Sequence, residues 1–370
     1  HRQYQLVGLN FSAYGATFIH LGINGNAICP IYNYLKPYDE KMQLSLYDKY
    51  GGKQSFCLAT ASPALGHLNS GLTLYWLKQQ RPEIFKTIDV SLHLPEYCSY
   101  LFTGKKISGL SSIGCHTHLW DFDAHSYHPW VKAEGLQYKL APLSAGLQDF
   151  SEMHVPHRLV VGNGIHDSSA AVIPYLYSTA EKFILLSTGT WCIALNPFNN
   201  ERLMAEEMEK DVLKYLLPDG TAVRAARFFA GRVHDEMVAG LVNVYNAGPD
   251  FYKHIKFDEG YFLLAEEVEL MDDGVHYYNQ PSVLQAYHFF LYAFLKKLTG
   301  CIKAAIGSSM VNCMIITGGF SKNHVFTEGL KYFFPSLRIM VSDNEDASAM
   351  GAAMMIGDIA FQSKKHNTVL

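Results

Sequence analysis

Leu159 to Trp191 reads LVVGNGIHDSSAAVIPYLYSTAEKFILLSTGTW, and its turns decide how the rest of the chain is parsed. Leu159, Val160 and Val161 form a short run rich in β-branched residues, and Gly162-Asn163-Gly164 must turn after it. Ser168 to Ile173 then starts a helix that Pro174 kinks or ends, with Asp167 at its beginning. Phe183 to Leu186 is a second apolar strand, Ser187-Thr188-Gly189-Thr190 a turn, and Trp191 to Leu195 the returning strand of a hairpin. A carboxylate thus stands at one strand end, and a tip of hydroxyls and glycine at the next.

Such a pair has a chemical reading. An alcohol is a poor nucleophile until something accepts its proton, and a carboxylate held beside it does so as the oxygen attacks a γ-phosphoryl group. Asp167 is the candidate. A glycine turn suits the other partner, because amides without a neighbouring Cβ approach phosphate oxygens closely, while Thr188 and Thr190 offer hydroxyls. Each feature also has a plain structural reading, a helix cap and an ordinary hairpin turn. A third strand-turn-helix adds weight: Met314 to Thr317 runs into Gly318-Gly319-Phe320-Ser321-Lys322-Asn323 and then a helical pattern through Phe326 and Leu330. A double glycine there lets a nucleotide lie against backbone. Ile339-Met340-Val341 leads to a helix from Asp346 to Ala353 whose small residues permit close packing and imply no ligand contact.

GIHDSSAAV, LLSTGTW, ITGGFSKN and DASAMGAA, in this order and spacing, resemble the C-terminal half of the FGGY carbohydrate kinases, closest to the rhamnulokinase and fuculokinase branch. TGKKISGLSSIGCHTHLWDF resembles the substrate side of that family's first domain. The resemblance implies an α/β, two-domain actin-like ATPase (ribonuclease H-like) fold with a catalytic cleft between the domains. A sugar-binding domain is expected over 1–157 and a nucleotide-binding domain over 158–370, divided in the turn-rich stretch Gly146 to Pro156. It also implies transfer of the γ-phosphoryl group of ATP, with Mg²⁺, to a hydroxyl of a sugar, a ketose such as L-rhamnulose or L-fuculose. On this expectation Asp167 is the base and His166 and Ser168 orient the sugar, with Tyr14, Gly15 and His116 as further sugar contacts. Thr188, Gly189 and Thr190 hold the phosphates, and Gly318, Gly319 and Asn323 line the adenosine pocket. Rhamnulokinases carry an acidic residue where this chain has Thr17, which leaves the sugar open. The family's opening D-x-G-T/S turn is not found; His1 leads within a few residues into the strand-like Leu6 to Leu9, as in a fragment or a sequence with residues omitted.

Composition bounds the alternatives. With 370 residues, 49% hydrophobic and 17% charged, the chain can build two cores. A net charge of −4 gives no electrostatic footprint for nucleic acid or an anionic membrane. The longest apolar stretch, Ala286 to Ile306, is interrupted by Lys296, Lys297 and Lys303 and reads as an amphipathic core helix. Seven cysteines with no C-x-x-C pair, and no signal peptide, point to a reducing cytoplasm. The partners expected are a small sugar and ATP, with a homodimer left open.

Gly114 to Asp123 holds His116, His118 and Asp121, with His125 and His128 beyond. In a strand, residues 116 and 118 would share a face, so the cluster reads as sugar contacts, as rim polarity, or as the site of a metal-dependent hydrolase. A non-catalytic sugar-binding relative is the other alternative. Glu201 to Lys214 reads as solvated surface, and Arg224, Arg227 and Arg232 read either as surface charges on a helix or, for one of them, as a phosphate partner. Residues 247–283 read as irregular.

Overall fold

Alternation of side chains explains the main sheet. Along Phe183–Thr188, Ile184 and Leu186 point into one core while Phe183 and Leu185 point into another, and all four are completely buried. A strand buried on both faces must lie inside a sheet covered on both sides, which is why it reads as a continuous apolar run. The computed structural model describes residues 4–15, 17–144, 150–154, 157–268, 275–344 and 346–366. In it this strand is central to six, ordered Val212–Leu216, Ala222–Phe229, Trp191–Asn196, Phe183–Thr188, Cys313–Gly318 and Arg338–Val341. The first four pair antiparallel, as two hairpins joined where Ala222–Phe229 returns beside Trp191–Asn196, and the last two join in parallel.

Helix Val283–Ile306 covers the face carrying Ile184, Met314 and Ile316, using Leu291, Leu295 and Leu298 among others. Its start is capped by Ser282, whose side chain accepts from the Gln285 amide at 3.2 Å. On the opposite face, Ala171, Val172 and Tyr175 of helix Asp167–Ser178 pack against Phe183, Leu185 and Ile315.

The turn before that helix is fixed from the other end of the chain. Gly8–Leu9 pairs in parallel with Val160–Val161, and Ser12–Ala13 with Ile165–His166. Between these pairings Asn10 accepts the Gly164 amide at 3.0 Å and donates its own amide to Ala352 O at 2.8 Å. Gly164 has φ +87°, and a Cβ there would lie 2.5 Å from the Pro95 carbonyl group. The turn therefore needs glycine on two counts.

Helix Ala347–His366 lies along Asp167–Ser178. Pro174 does not end the latter, which runs to Ser178. Lacking an N–H, it frees the Ala170 carbonyl, and Gly351 packs there so closely that a Cβ would sit 1.9 Å from Ala170 O.

Three expectations are corrected. The stretch from Gly146 to Pro156 is not all turn: Phe150–His154 is a strand antiparallel to Arg158–Gly162, while 146–149 and 155–156 lie outside the described residues. The division at 157/158 therefore falls within a hydrogen-bonded three-stranded sheet, Gly8–Leu9, Arg158–Gly162, Phe150–His154. Glu201 to Lys214 is not simply solvated surface. Glu207 holds the buried Arg224, Asp211 holds Arg227 through two bonds at 3.0 and 2.6 Å, and Val212–Leu216 is fully buried. Within 247–283, Glu259–Glu267 and Val275–Tyr278 are helices, the first capped by Asp258 and anchored by Phe262.

Candidate active site

Asp167 is the first residue of its helix, and its side chain is 44% exposed. Its Oδ1 accepts the Ser168 amide at 2.6 Å and the Ser168 hydroxyl at 3.3 Å, and lies 3.3 Å from His166 Nε2. Among the described residues Oδ2 has no such partner, so one carboxylate oxygen is held and the other faces outward. The Ser348 hydroxyl donates to the Asp167 carbonyl at 3.0 Å, fastening the helix start to Ala347–His366.

His166 is buried, and its tautomer follows from its partners. Ser169 donates its hydroxyl proton to Leu216 O at 2.8 Å, so at 3.1 Å from His166 Nδ1 it accepts. His166 therefore carries its proton on Nδ1 and turns the Nε2 lone pair toward Asp167. Burial lowers the imidazole's affinity for a second proton, and the Asp167 charge opposes that shift. The expectation that His166 reaches the sugar directly is corrected: it is 2% exposed, and its polar neighbours are Ser169 and Asp167. Ser168, half-buried, stays beside the carboxylate.

Tyr14 is exposed near Tyr34, with ring centroids 6.0 Å apart, and Gly15 is buried against Cys115 and His166. His116 is buried with Nδ1 3.1 Å from Leu68 O. The hydrolase cluster does not assemble. His118 has φ +63° and lies in no strand. Its two nitrogens face Tyr47 at 3.1 Å and Thr60 at 2.8 Å, while Asp121 Oδ1 closes a turn onto the amides of Asp123 and Ala124. His128 caps helix Pro129–Ala133.

The hairpin tip and the second of the two glycines, Gly319, face one cavity of about 380 Å³. Gly189, Thr190, Gly319, Phe320 and Asn323 form part of its wall; Gly231, Arg232, His234, Asp235 and Tyr252 complete it. A Cβ on Gly319 would meet nothing within 4 Å, so this glycine opens onto the cavity. Gly318 does not line it. Its φ is +88° and a Cβ would lie 1.9 Å from Thr188 O, so glycine here serves the crossing of two strand ends.

Thr188 is corrected as a phosphate donor: its one hydroxyl proton goes to Thr317 O at 2.6 Å, and its oxygen accepts the Phe320 amide at 3.0 Å. The Gly189 amide likewise closes the hairpin onto Trp191 O at 3.0 Å. Thr190 remains exposed at the rim. The Asn323 carboxamide caps helix His324–Phe333 and donates to Tyr287 at 2.6 Å, so it shapes the wall while its polar atoms point elsewhere. Of the three arginines only Arg232 lines the cavity; it is exposed and pairs with Glu236 at 2.6 Å. Tyr252 and His234 fell outside the motifs, since nothing in their spacing marks them.

The structure carries a half-open carboxylate, a cavity built from glycines, aromatic rings and a cation, and two separate sheets of six and three strands. That is the two-domain actin-like ATPase fold. The structure superposes on a ligand-bound xylulose kinase from Lactobacillus acidophilus with a TM-score of 0.76 at 11% identity, covering 98% of this chain and 77% of that one. A carbohydrate kinase from Novosphingobium aromaticivorans matches with a TM-score of 0.71 at 22% identity, over 93% and 76%. Residues 180–264 match the family model described as carbohydrate kinase FGGY, C-terminal domain. A rhamnulokinase from Oceanobacillus iheyensis is 22% identical over 201 residues, 51% of this chain and 41% of that protein. Another from Halalkalibacterium halodurans is 33% identical over 138 residues, 34% and 28%. Residues 180–264 thus resemble the C-terminal domain of the FGGY carbohydrate kinases, and the chain spans less than half the length of these curated relatives.

Proposed function

We propose that this chain phosphorylates a sugar with ATP, through Asp167 as general base. The observation that carries the reading is the asymmetry of the Asp167 carboxylate: Oδ1 is held by Ser168 and faces His166, while Oδ2 is left for an incoming hydroxyl. In this reading the sugar lies on the side of residues 1–157, near Tyr14, and the nucleotide on the side of residues 158–370. Gly319 leaves room for the nucleoside, Tyr252 and Phe320 offer it ring surface, and Thr190 and Arg232 meet the phosphates. When bound, ATP with Mg²⁺ supplies the phosphoryl group and spreads the charge that develops on it.

Asp167 removes the proton from the sugar hydroxyl as that oxygen attacks, and the Ser168 amide keeps the carboxylate aimed. His166, with its proton on Nδ1, presents a lone pair that favours the proton's residence at the Asp167 edge once transfer has occurred. The acceptor is taken to be a ketose such as L-rhamnulose or L-fuculose, supported by the rhamnulokinase similarity; Thr17, buried at 4% exposure, is the point where the chain leaves that pattern. The odd cysteine count favours a cytoplasmic setting, and among the described residues no helix is long and apolar enough to cross a membrane.

Asp167→Asn keeps the shape and removes the base. Turnover with a panel of ketoses, aldoses and polyols is expected to fall about 10²- to 10⁴-fold, while nucleotide affinity by calorimetry stays unchanged. Equal turnover in variant and parent would remove Asp167 from the reaction.

A further inference from the structure

Behind the Asp167 carboxylate lies a cluster that the phosphoryl-transfer reading does not use. Cys115, His116 and His166 are all buried, and each brings one ligand atom within 4.8 Å of the other two. The imidazoles are poised as ligands. His116 places Nδ1 at 3.1 Å from Leu68 O, a carbonyl that only accepts, so Nδ1 holds the proton and Nε2 the lone pair. His166 is in the same state, through Ser169 and Leu216. Its lone pair then faces a carboxylate oxygen at 3.3 Å, an encounter of two acceptors that a cation between them would reconcile. Gly15 keeps the space open: a Cβ there would lie 2.8 Å from Cys115 Sγ and 3.0 Å from His166 Cδ2. Tyr215 walls the far side, its ring centroid 5.0 Å from that of His166 and 6.1 Å from that of His116.

We propose that Cys115 Sγ, His116 Nε2 and His166 Nε2 form a three-ligand Zn²⁺ site. Zn–S near 2.3 Å and Zn–N near 2.0–2.1 Å set tetrahedral ligand separations of roughly 3.3–3.6 Å, which side-chain rotation of about an ångström reaches from the present spacing. One thiol and two neutral imidazoles form a donor set that zinc accepts and Mg²⁺ does not favour. On binding, the Cys115 S–H bond breaks, its proton passes to solvent, and an S–Zn bond takes its place; in the metal-free state that thiol donates to Ser112 O at 3.2 Å. Where Asp167 is the base, an ion on His166 Nε2 also stands near its Oδ1 and weakens it as a proton acceptor. That consequence rests on the proposed kinase reading, whereas binding itself does not.

The test is direct and needs no turnover. Metal-stripped full chain is titrated with Co²⁺ as the visible probe for the zinc site, and separately with Zn²⁺ in competition. The expected result is a thiolate-to-cobalt absorption band saturating at one ion per chain, bleached by Zn²⁺, and lost in both Cys115→Ser and His116→Gln. Cys57→Ser, which changes a buried thiol outside the cluster's ligand set, keeps the band. The absence of a thiolate band in the parent chain overturns the site, and so does a band that survives in either Cys115→Ser or His116→Gln. Should one of these variants not fold, the other decides alone.

Discussion

Adjacent glycines at 318 and 319 show how differently one residue type serves a site. Gly318 has positive φ and no room for a Cβ beside Thr188 O, whereas Gly319 opens onto the cavity. Gly318→Ala is therefore expected to lower stability by about 2–4 kcal/mol from strain and overlap together, seen as a reduced urea midpoint. Gly319→Val should leave that midpoint nearly unchanged yet weaken nucleotide binding about tenfold or more. Reversed outcomes for the pair would place the nucleotide elsewhere. The TGG pattern is legible in the letters, but the letters do not say which glycine faces the ligand. The same limit applies to Thr188, whose hydroxyl looks like a phosphate donor until Thr317 and Phe320 are seen to occupy it. His166 and His116 read in the sequence as sugar contacts; their enclosure, and their approach to Cys115, depend on segments distant in sequence and carry no local signal.

At the level of elements, two helices decide where the carboxylate sits. Pro174 frees the Ala170 carbonyl, Gly351 packs onto it, and Ser348 ties the same helix to the Asp167 carbonyl. Gly351→Leu forces these helices apart at backbone, with an expected cost of about 3 kcal/mol. It should also reduce kcat about 10²-fold, since misplacement by an ångström is enough for that. A variant with full kcat and an unchanged melting temperature would show that the contact is not needed. Strands and helices with a clean period were readable: the hairpin from Phe183, the helix through Ala286 to Ile306, and the strand-turn-helix around Gly318 all stand where the pattern put them. Charge density misled. Between Glu201 and Lys214 the acidic residues looked solvated because their buried partners, Arg224 and Arg227, come from the next strand.

Across the whole molecule, buried titrating groups give stability a pH dependence that can be assigned. Glu96 is 1% exposed, and burial pushes its carboxyl up from 4.5 to about 7. It sits under the turn before Asp167, with Oε1 accepting the Gly109 amide at 3.2 Å. Between pH 4.5 and about 7 the folded chain keeps this proton while the unfolded chain releases it, so this group's contribution to stability falls as pH rises through that window and is level above it. Glu96→Gln removes the titration. Relative to the parent, the variant should gain stability steadily across that window, read as the difference in urea midpoint at each pH. A difference that stays flat would mean that Glu96 ionises in the folded chain as it does in the unfolded one.

Asn10 bonded to Ala352 has a meaning for synthesis as well as for architecture. The neighbourhood of the carboxylate draws on residues translated hundreds of codons apart, so a ribosome that has reached only residue 300 leaves that corner without the helix Ala347–His366. The nascent polypeptide can mature its hairpins early, but chemical competence waits until residues 347–366 have emerged and packed.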